Sequence, residues 1–279
     1  MNSNSTSCET TARAACAEPR PCVLSIAGSD SGGNAGVQAD LRAFHAYGLH
    51  GCTVFSALTA QNPSGVSAIH GVPPGFLSAQ LAAVLGTYSI RALKTGMLGT
   101  PENIEAVVAG LRPHPGIAKV IDPVMVATSG AKLAGDDAVA VLKRELIPLA
   151  TVITPNIPEA AALLGERSVA RTQRDMAKAL YELFGVPALV KGGHAEGEPS
   201  AVDVLCDGAG ELREYSAPRI DNPVSTHGTG CSFAAALAAE LALSHSLYDA
   251  VAGAKEYVRQ AIACSYLVGE NCGVLGFVQ

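Results

Sequence analysis

What the chain lacks narrows its function first. No stretch approaches the roughly 18 uninterrupted apolar residues of a membrane-spanning helix. The first 22 residues, MNSNSTSCETTARAACAEPRPC, are small and polar with no apolar h-region, and Glu9 and Glu18 argue against a transit peptide. They read as a solvated tail. Lys and Arg number 19 against 25 Asp and Glu, a net charge of −6. Without a basic surplus, broad contact with a phosphate backbone has no electrostatic support, and neither nucleic acid nor membrane is an expected partner. The eight cysteines contain no CxxC, which removes support for a structural zinc site or a redox pair. Nor does a core of this size need a disulfide frame, so most of them read as small buried hydrophobes in a reducing, cytoplasmic compartment. Charged residues make up only 16%, but 48% hydrophobic residues exclude a disordered chain, and 29 Gly suit a loop-rich enzyme.

A length of 279 residues allows two domains or one large α/β domain. Near-continuous apolar runs at 22–27, 51–58, 90–95, 118–124, 151–154 and 187–191 read as strands buried on both faces of a parallel sheet. Helix patterns lie between them at 35–47, 74–87, 102–112, 136–148, 157–165 and 171–184. Residues 201–206 and 211–218 flank Asp207-Gly208 and read as an antiparallel hairpin. Ala-rich helices at about 230–243 and 246–268 follow. The expectation is a doubly wound α/β sheet with helices on both faces, forming a single domain over 22–279 behind a disordered tail at 1–21.

Ligands of such sheets bind beyond the carboxyl ends of the strands, so the residues there carry the search. After the first strand comes Gly28-Ser29-Asp30-Ser31-Gly32-Gly33-Asn34-Ala35-Gly36. This is neither a Walker A loop nor GxGxxG; it is either a ligand-approaching turn or simply a tight one. Thr226-His227-Gly228-Thr229-Gly230-Cys231 leads straight into a helix, which makes an anion hole from free N–H groups. The same field is expected to lower the Cys231 pKa, unless Cys231 is only a core residue. Asn156 and Glu159 stand three apart at a helix start, as a capping box or as oxygen ligands near a Mg²⁺-phosphate group. Lys191, Asp122 and Gln61 also end strands, each either a site group or a loop contact. Together they suit phosphoryl transfer by positioning and electrostatics without a P-loop.

These segments, with Ala35-Gly36-Val37-Gln38-Ala39-Asp40, Lys94-Thr95-Gly96-Met97-Leu98 and Asp122-Pro123-Val124-Met125, resemble hydroxymethylpyrimidine/phosphomethylpyrimidine kinase of the ribokinase-like superfamily, from about 22 to 268. The resemblance implies a three-layer fold, a homodimer, and two ATP-dependent phosphorylations in thiamine biosynthesis, of a hydroxymethylpyrimidine and then of its monophosphate. It assigns pyrimidine reading to Gln61, with Gly28, Asp40, Met97 and Val124 lining the pocket. Cys231 takes the place of the base, and the N–H groups of Gly228, Thr229, Gly230 and Cys231 hold the transferring phosphoryl group. Asp122, Asn156, Glu159, Lys191 and Thr226 fall in the region for ATP and Mg²⁺, with Glu159 reaching the metal through water. Two departures stand out: Asn34 replaces a small residue, and the C-terminus lacks a Gly-His-Gly-Pro ending.

The rival reading is a pyridoxal kinase, but such relatives tend to carry a second cysteine after DPVMV where this chain has Ala127. A binding protein that has lost catalysis is disfavoured because Cys231, Asn156 and Glu159 are all present. A sugar kinase is disfavoured by Cys231 and Gln61.

Overall fold

The computed structural model describes residues 19–63, 65–125, 133, 135–165, 172–193, 199–268, 270 and 272–276. Alternation along the strands explains why their sequences are apolar throughout. In β1 (Cys22–Ala27) Leu24 and Ile26 face one helical layer, while Val23 faces the other. The same split separates Leu93 from Ala92 in β5 (Ile90–Thr95) and Ile121 from Val120 in β6 (Ala118–Ile121). Each strand thus feeds two cores, as expected when both faces of a sheet are covered.

One layer holds α1 (Gly36–Ala46) and two Ala-rich helices, α7 (Thr229–Ala242) and α8 (Leu247–Ala263). The other holds α2 (Pro74–Leu85), α3 (Pro101–Leu111), α4 (Asp136–Val141), α5 (Ile157–Leu164) and α6 (Gln173–Phe184). Small side chains let α7 lie close against the sheet and its neighbours: Ala234 through Ala239 are fully buried. The helical pattern over 136–148 is observed, but beyond α4 it widens into a π-helical turn at Leu142–Leu146 and a 3₁₀ turn at Ile147–Leu149.

The main sheet also contains β2 (His50–Phe55), β7 (Val152–Ile153), β8 (Ala188–Val190), β9 (Ser200–Cys206) and β10 (Leu212–Pro218). Its order is β10-β9-β8-β7-β6-β5-β1-β2. Neighbours from β2 through β8 are parallel, and the β9–β10 hairpin adds antiparallel, as read from the sequence. The chain moves outward from β1 to β2, then returns across β1 to β5. That reversal opens a crevice at the carboxyl ends of the strands.

Two boundaries differ from the sequence reading. The run 51–58 is not one strand: the chain turns out of the sheet at Ser56, whose N–H bonds Ala27 O and whose hydroxyl bonds Met97 O. Beyond it β3 (Ala57–Asn62) pairs with β4 (Gly65–Gly71) as a separate antiparallel hairpin, and Leu58, apolar in the sequence, is half exposed on it. The last helix ends at Ala263, after which β11 (Tyr266–Leu267) pairs with β12 (Gly273–Val274) within the atypical C-terminus. Of the expected tail, only residues 19–21 are described, and residues 1–18 and Ala127 lie outside the described residues.

Candidate active site

A cavity of about 700 Å³ lies along the carboxyl ends of β1, β5, β6, β7 and β8. Every site residue named from the sequence lines it except Asp40. Gly28 follows β1 and packs on Met97, which follows β5; a Cβ on Gly28 would stand 2.4 Å from Met97 Cε. Val124 lies beyond β6, and Gln61 is the penultimate residue of β3. The β3–β4 hairpin is tied to the loop after β1: Ser29 N–H donates to Ala57 O, and Thr59 Oγ1 donates to Ser29 O at 2.8 Å. Ser31 Oγ donates to Gln61 O and accepts from Gln61 N–H, both at 2.8 Å. The backbone of Gln61 is thereby fixed, its Oε1 accepts from Thr59 Oγ1 at 3.3 Å, and the residue lines the cavity.

Of the two readings of the glycine-rich loop, the tight turn is the one observed, with its N–H groups held internally. Asp30 consumes them: Oδ1 accepts from Gly32 N–H, and Oδ2 accepts from Asn34 and Ala35 N–H, all within 2.9 Å. Gly33 N–H bonds Asp30 O, and Val37 N–H bonds Gly28 O. The cue was legible: an Asp followed by glycines folds its own backbone into an Asx turn.

The helix N-terminus at this edge is that of α7. Gly228 caps it at φ +88°, and Thr229, Gly230 and Cys231 form the first turn, with no side chain capping their N–H groups. Thr226 lies just before, its carbonyl accepting from Thr229 N–H. Lys191, at the end of β8, places its ammonium 3.8 Å from where a Cβ on Gly230 would lie, so cation and helix N-terminus converge. The Cys231 pKa does not fall as the helix end alone implied. Burial pushes the thiol up, with Asp40 and Asp122 adding to the rise, against the pull of Lys94 and Gly36 N–H.

Next to α7, buried Asp122 accepts from Lys191 Nζ at 2.8 Å and from Thr154 Oγ1 at 3.0 Å. Burial opposes the Lys191 charge, but Asp122 and Glu159 outweigh it and the ammonium is held. Asn156 pairs with Lys191 as an isolated parallel bridge extending β7 and β8. Asn156 and Glu159 form a complete capping box: Asn156 Oδ1 accepts Glu159 N–H at 2.8 Å, and Glu159 Oε2 accepts Asn156 N–H at 2.9 Å. The capping-box reading is thus observed, and the capped Glu159 also lines the cavity. Burial, with Asp122 nearby, raises Glu159 to about 7 despite Lys191. Two carboxylates against one ammonium leave this corner short of positive charge, and an oxygen donor set of this kind suits Mg²⁺. Among the described residues no three His, Cys, Asp or Glu side chains cluster as an all-protein metal site.

Asp40 corrects the sequence reading. It is fully buried behind Lys94, with Lys94 Nζ at 3.0 and 3.3 Å from its two oxygens and Ser25 Oγ donating at 2.5 Å. Lys94, not singled out beforehand, takes the place at the wall. The signal was a lysine inside an otherwise apolar strand and an Asp on the inward stripe of α1; two such buried charges require each other. Asp203 was also missed: it accepts from Gly192 N–H at 2.9 Å and from Lys255 Nζ at 2.7 Å, joining β9 to α8 at the cavity rim.

The phosphomethylpyrimidine kinase family model matches residues 30–276. The chain is 46% identical over 245 residues to hydroxymethylpyrimidine/phosphomethylpyrimidine kinase of Rhizobium meliloti, covering 87% of this chain and 90% of that one. It is also 46% identical over 261 residues to the thiamine biosynthesis bifunctional protein ThiED of Geobacter sulfurreducens, where it covers 93% of itself and spans only 53% of the relative's length. Among solved structures, an ADP complex of Bacillus subtilis pyridoxal kinase superposes with a TM-score of 0.83 at 34% identity, covering 93% of this chain and 98% of the other. The chain belongs to the phosphomethylpyrimidine kinase family.

Proposed function

We propose that the protein transfers the γ-phosphoryl group of ATP to the hydroxymethyl group of 4-amino-5-hydroxymethyl-2-methylpyrimidine, and then to the resulting monophosphate. The observation that carries this reading is the convergence at one sheet edge of Gln61, the α7 N-terminus, Lys191 and Cys231 around a single cavity. The pyrimidine ring lies between Gly28, Met97 and Val124, and Gln61 hydrogen-bonds its edge. Cys231 Sγ, as the thiolate, takes the hydroxyl proton while the hydroxyl oxygen bonds the γ-phosphorus and ADP departs. Burial makes that thiolate scarce, but also a stronger base toward an alcohol. The N–H groups of Gly228 to Cys231, with Lys191, hold the charge on the moving phosphoryl group. In the second step the acceptor is already an anion and needs no base.

Asn156 and Glu159, with Asp122 and Thr226, form the phosphate and Mg²⁺ corner, and Glu159 would hold the ion through water. When bound, Mg²⁺ supplies neutralisation of phosphate charge. A homodimer in the cytoplasm completes the reading; half-exposed Leu58 and Ile69 on the β3–β4 hairpin and Phe76 on α2 supply apolar surface for a second copy. No helix among the described residues is long and apolar enough to cross a membrane.

The second reading, pyridoxal phosphorylation, is favoured by the fold likeness to the Bacillus subtilis kinase. A coupled ADP-release assay separates the two. ADP release that depends on the pyrimidine, with pyridoxal at most a minor acceptor, supports the first. Release with pyridoxal alone overturns it.

A further inference from the structure

Where β8 and β9 part, two side chains take over from the backbone ladder. The strands pair antiparallel up to Val190 opposite Val204, a register that, continued, puts Lys191 against Asp203 and Gly192 against Val202. The backbone of Lys191 turns the other way: its N–H bonds Pro155 O at 2.8 Å, and the residue bridges Asn156 on the β7 side. Gln173, the first residue of α6, spans the parted strands, its Nε2 donating to Val190 O at 2.8 Å and to Val202 O at 2.9 Å. Asp203 Oδ1 accepts from Gly192 N–H at 2.9 Å, and its Oδ2 accepts from Lys255 Nζ of α8 at 2.7 Å. Helices α6 and α8 belong to opposite layers, so this junction is held from both faces of the sheet. It admits no larger residue than glycine: a Cβ on Gly192 would stand 2.2 Å from Val202 O and 2.7 Å from the Gln173 carboxamide.

A backbone N–H left without a ladder partner needs an acceptor, and a carboxylate binds it more tightly than a neutral oxygen would. A buried ion pair is otherwise a poor source of stability. The neighbour of Gly192 gives this one a use. Lys191 Nζ bonds Asp122 at 2.8 Å and stands 3.8 Å from where a Cβ on Gly230 would lie, at the start of α7. We propose that Asp203, fixed by Lys255, is a positioning residue: it holds Gly192, and through it the backbone from which Lys191 reaches the N-terminus of α7. This role rests on the kinase reading, in which Lys191 meets the transferring phosphoryl group. A misplacement of about 1 Å at a reacting centre can cost about a hundredfold in rate, so a charge on a flexible stem gains from a stiff base.

The test is a double-mutant cycle on the affinity of the full chain for Mg-ATP, measured by titration calorimetry without acceptor. Asp203→Ala is expected to weaken binding by about tenfold, the effect of losing a charge-assisted hydrogen bond, with the KM for the pyrimidine unmoved. In a Lys191→Gln background, which removes the ammonium and leaves Asp122 a donor, Asp203→Ala is expected to change nothing further. Asp203→Asn still offers Gly192 an acceptor and is expected to restore affinity to within about threefold, since a neutral bond is roughly half as strong. Packing damage would weaken binding in both backgrounds. An equal loss with and without the ammonium therefore overturns the proposal, as does no loss when Lys191 is present. Should Asp203→Ala fail to fold, Lys255→Met is added so that no buried charge stays unpaired, and the pair is compared with Lys255→Met alone in the same two backgrounds. A loss confined to the chain with Lys191 supports the proposal, and an equal loss overturns it. Lys191→Gln that binds Mg-ATP as tightly as the original chain takes Lys191 out of the phosphate corner, and the proposal falls with that part of the kinase reading. An equal loss in both backgrounds strikes the proposal alone and leaves the kinase reading standing.

Discussion

The main-chain carbonyl oxygen of Asn34 stands 2.0 Å from where a Cβ on Gly228 would lie, so the loop after β1 and the N-terminus of α7 meet backbone to backbone. Gly228 also holds φ +88°, which a residue with a Cβ adopts only under strain. Gly228→Ala must push the two segments apart and tilt the N–H groups of the first turn. Both phosphorylations are expected to fall by about a hundredfold, the usual consequence of losing one well-placed donor to a developing anion. Initial rates for each step check this; retention of more than about half the original rate would contradict it.

Cys231→Ala separates the two chemical steps. The first is expected to lose about a hundredfold or more, the range for removal of a general base. The second should lose far less. Because burial raises the thiol, the first-step rate of the unaltered protein should keep climbing through the alkaline range, while the second stays nearly flat. Equal losses in both steps would make Cys231 part of the anion hole and not a base.

Glu159 gives a signed pH effect. Its folded-state value of about 7 stands above the ordinary 4.5, so over that window the folded chain keeps a proton that the unfolded chain releases. Stability from this group is therefore lost as pH rises from about 4.5 through about 7. Glu159→Gln keeps the capping box and removes the charge. It is expected to raise the ligand-free Tm at alkaline pH by about 5 °C and to weaken dependence on Mg²⁺. Calorimetry across pH, paired with Mg²⁺ titration of the rate, reads both. A lower Tm at every pH would show the carboxylate to be structural alone.

Leu58→Glu places a charge on the exposed hairpin. Light scattering is expected to report a dimer for the original chain and a monomer for the variant, since a buried unpaired carboxylate opposes association. A monomer in both cases would remove the dimer from the account.

Most of the fold was readable because each strand feeds two apolar layers and stays hydrophobic throughout. The β3–β4 hairpin was not, since Leu58 and Ile69 are apolar yet half exposed and hydropathy alone cannot tell them from core. Site residues at strand ends were legible because the sheet topology forces them to one edge. Asp40 and the Cys231 thiol were misread for one reason: each is governed by partners remote in sequence or by burial, which local spacing does not express. Lys94 and Asp40 show the remedy, since a charge on a buried stripe calls for its opposite on a neighbouring element.

The measurement closest to the central claim is product analysis by mass spectrometry after incubation with Mg-ATP and hydroxymethylpyrimidine or, separately, pyridoxal. The expected result is a pyrimidine monophosphate that accumulates and then gives way to the diphosphate, with pyridoxal phosphate at most a minor product. Phosphorylation of pyridoxal with the pyrimidine left untouched would contradict the substrate assignment while leaving the fold and the anion hole in place.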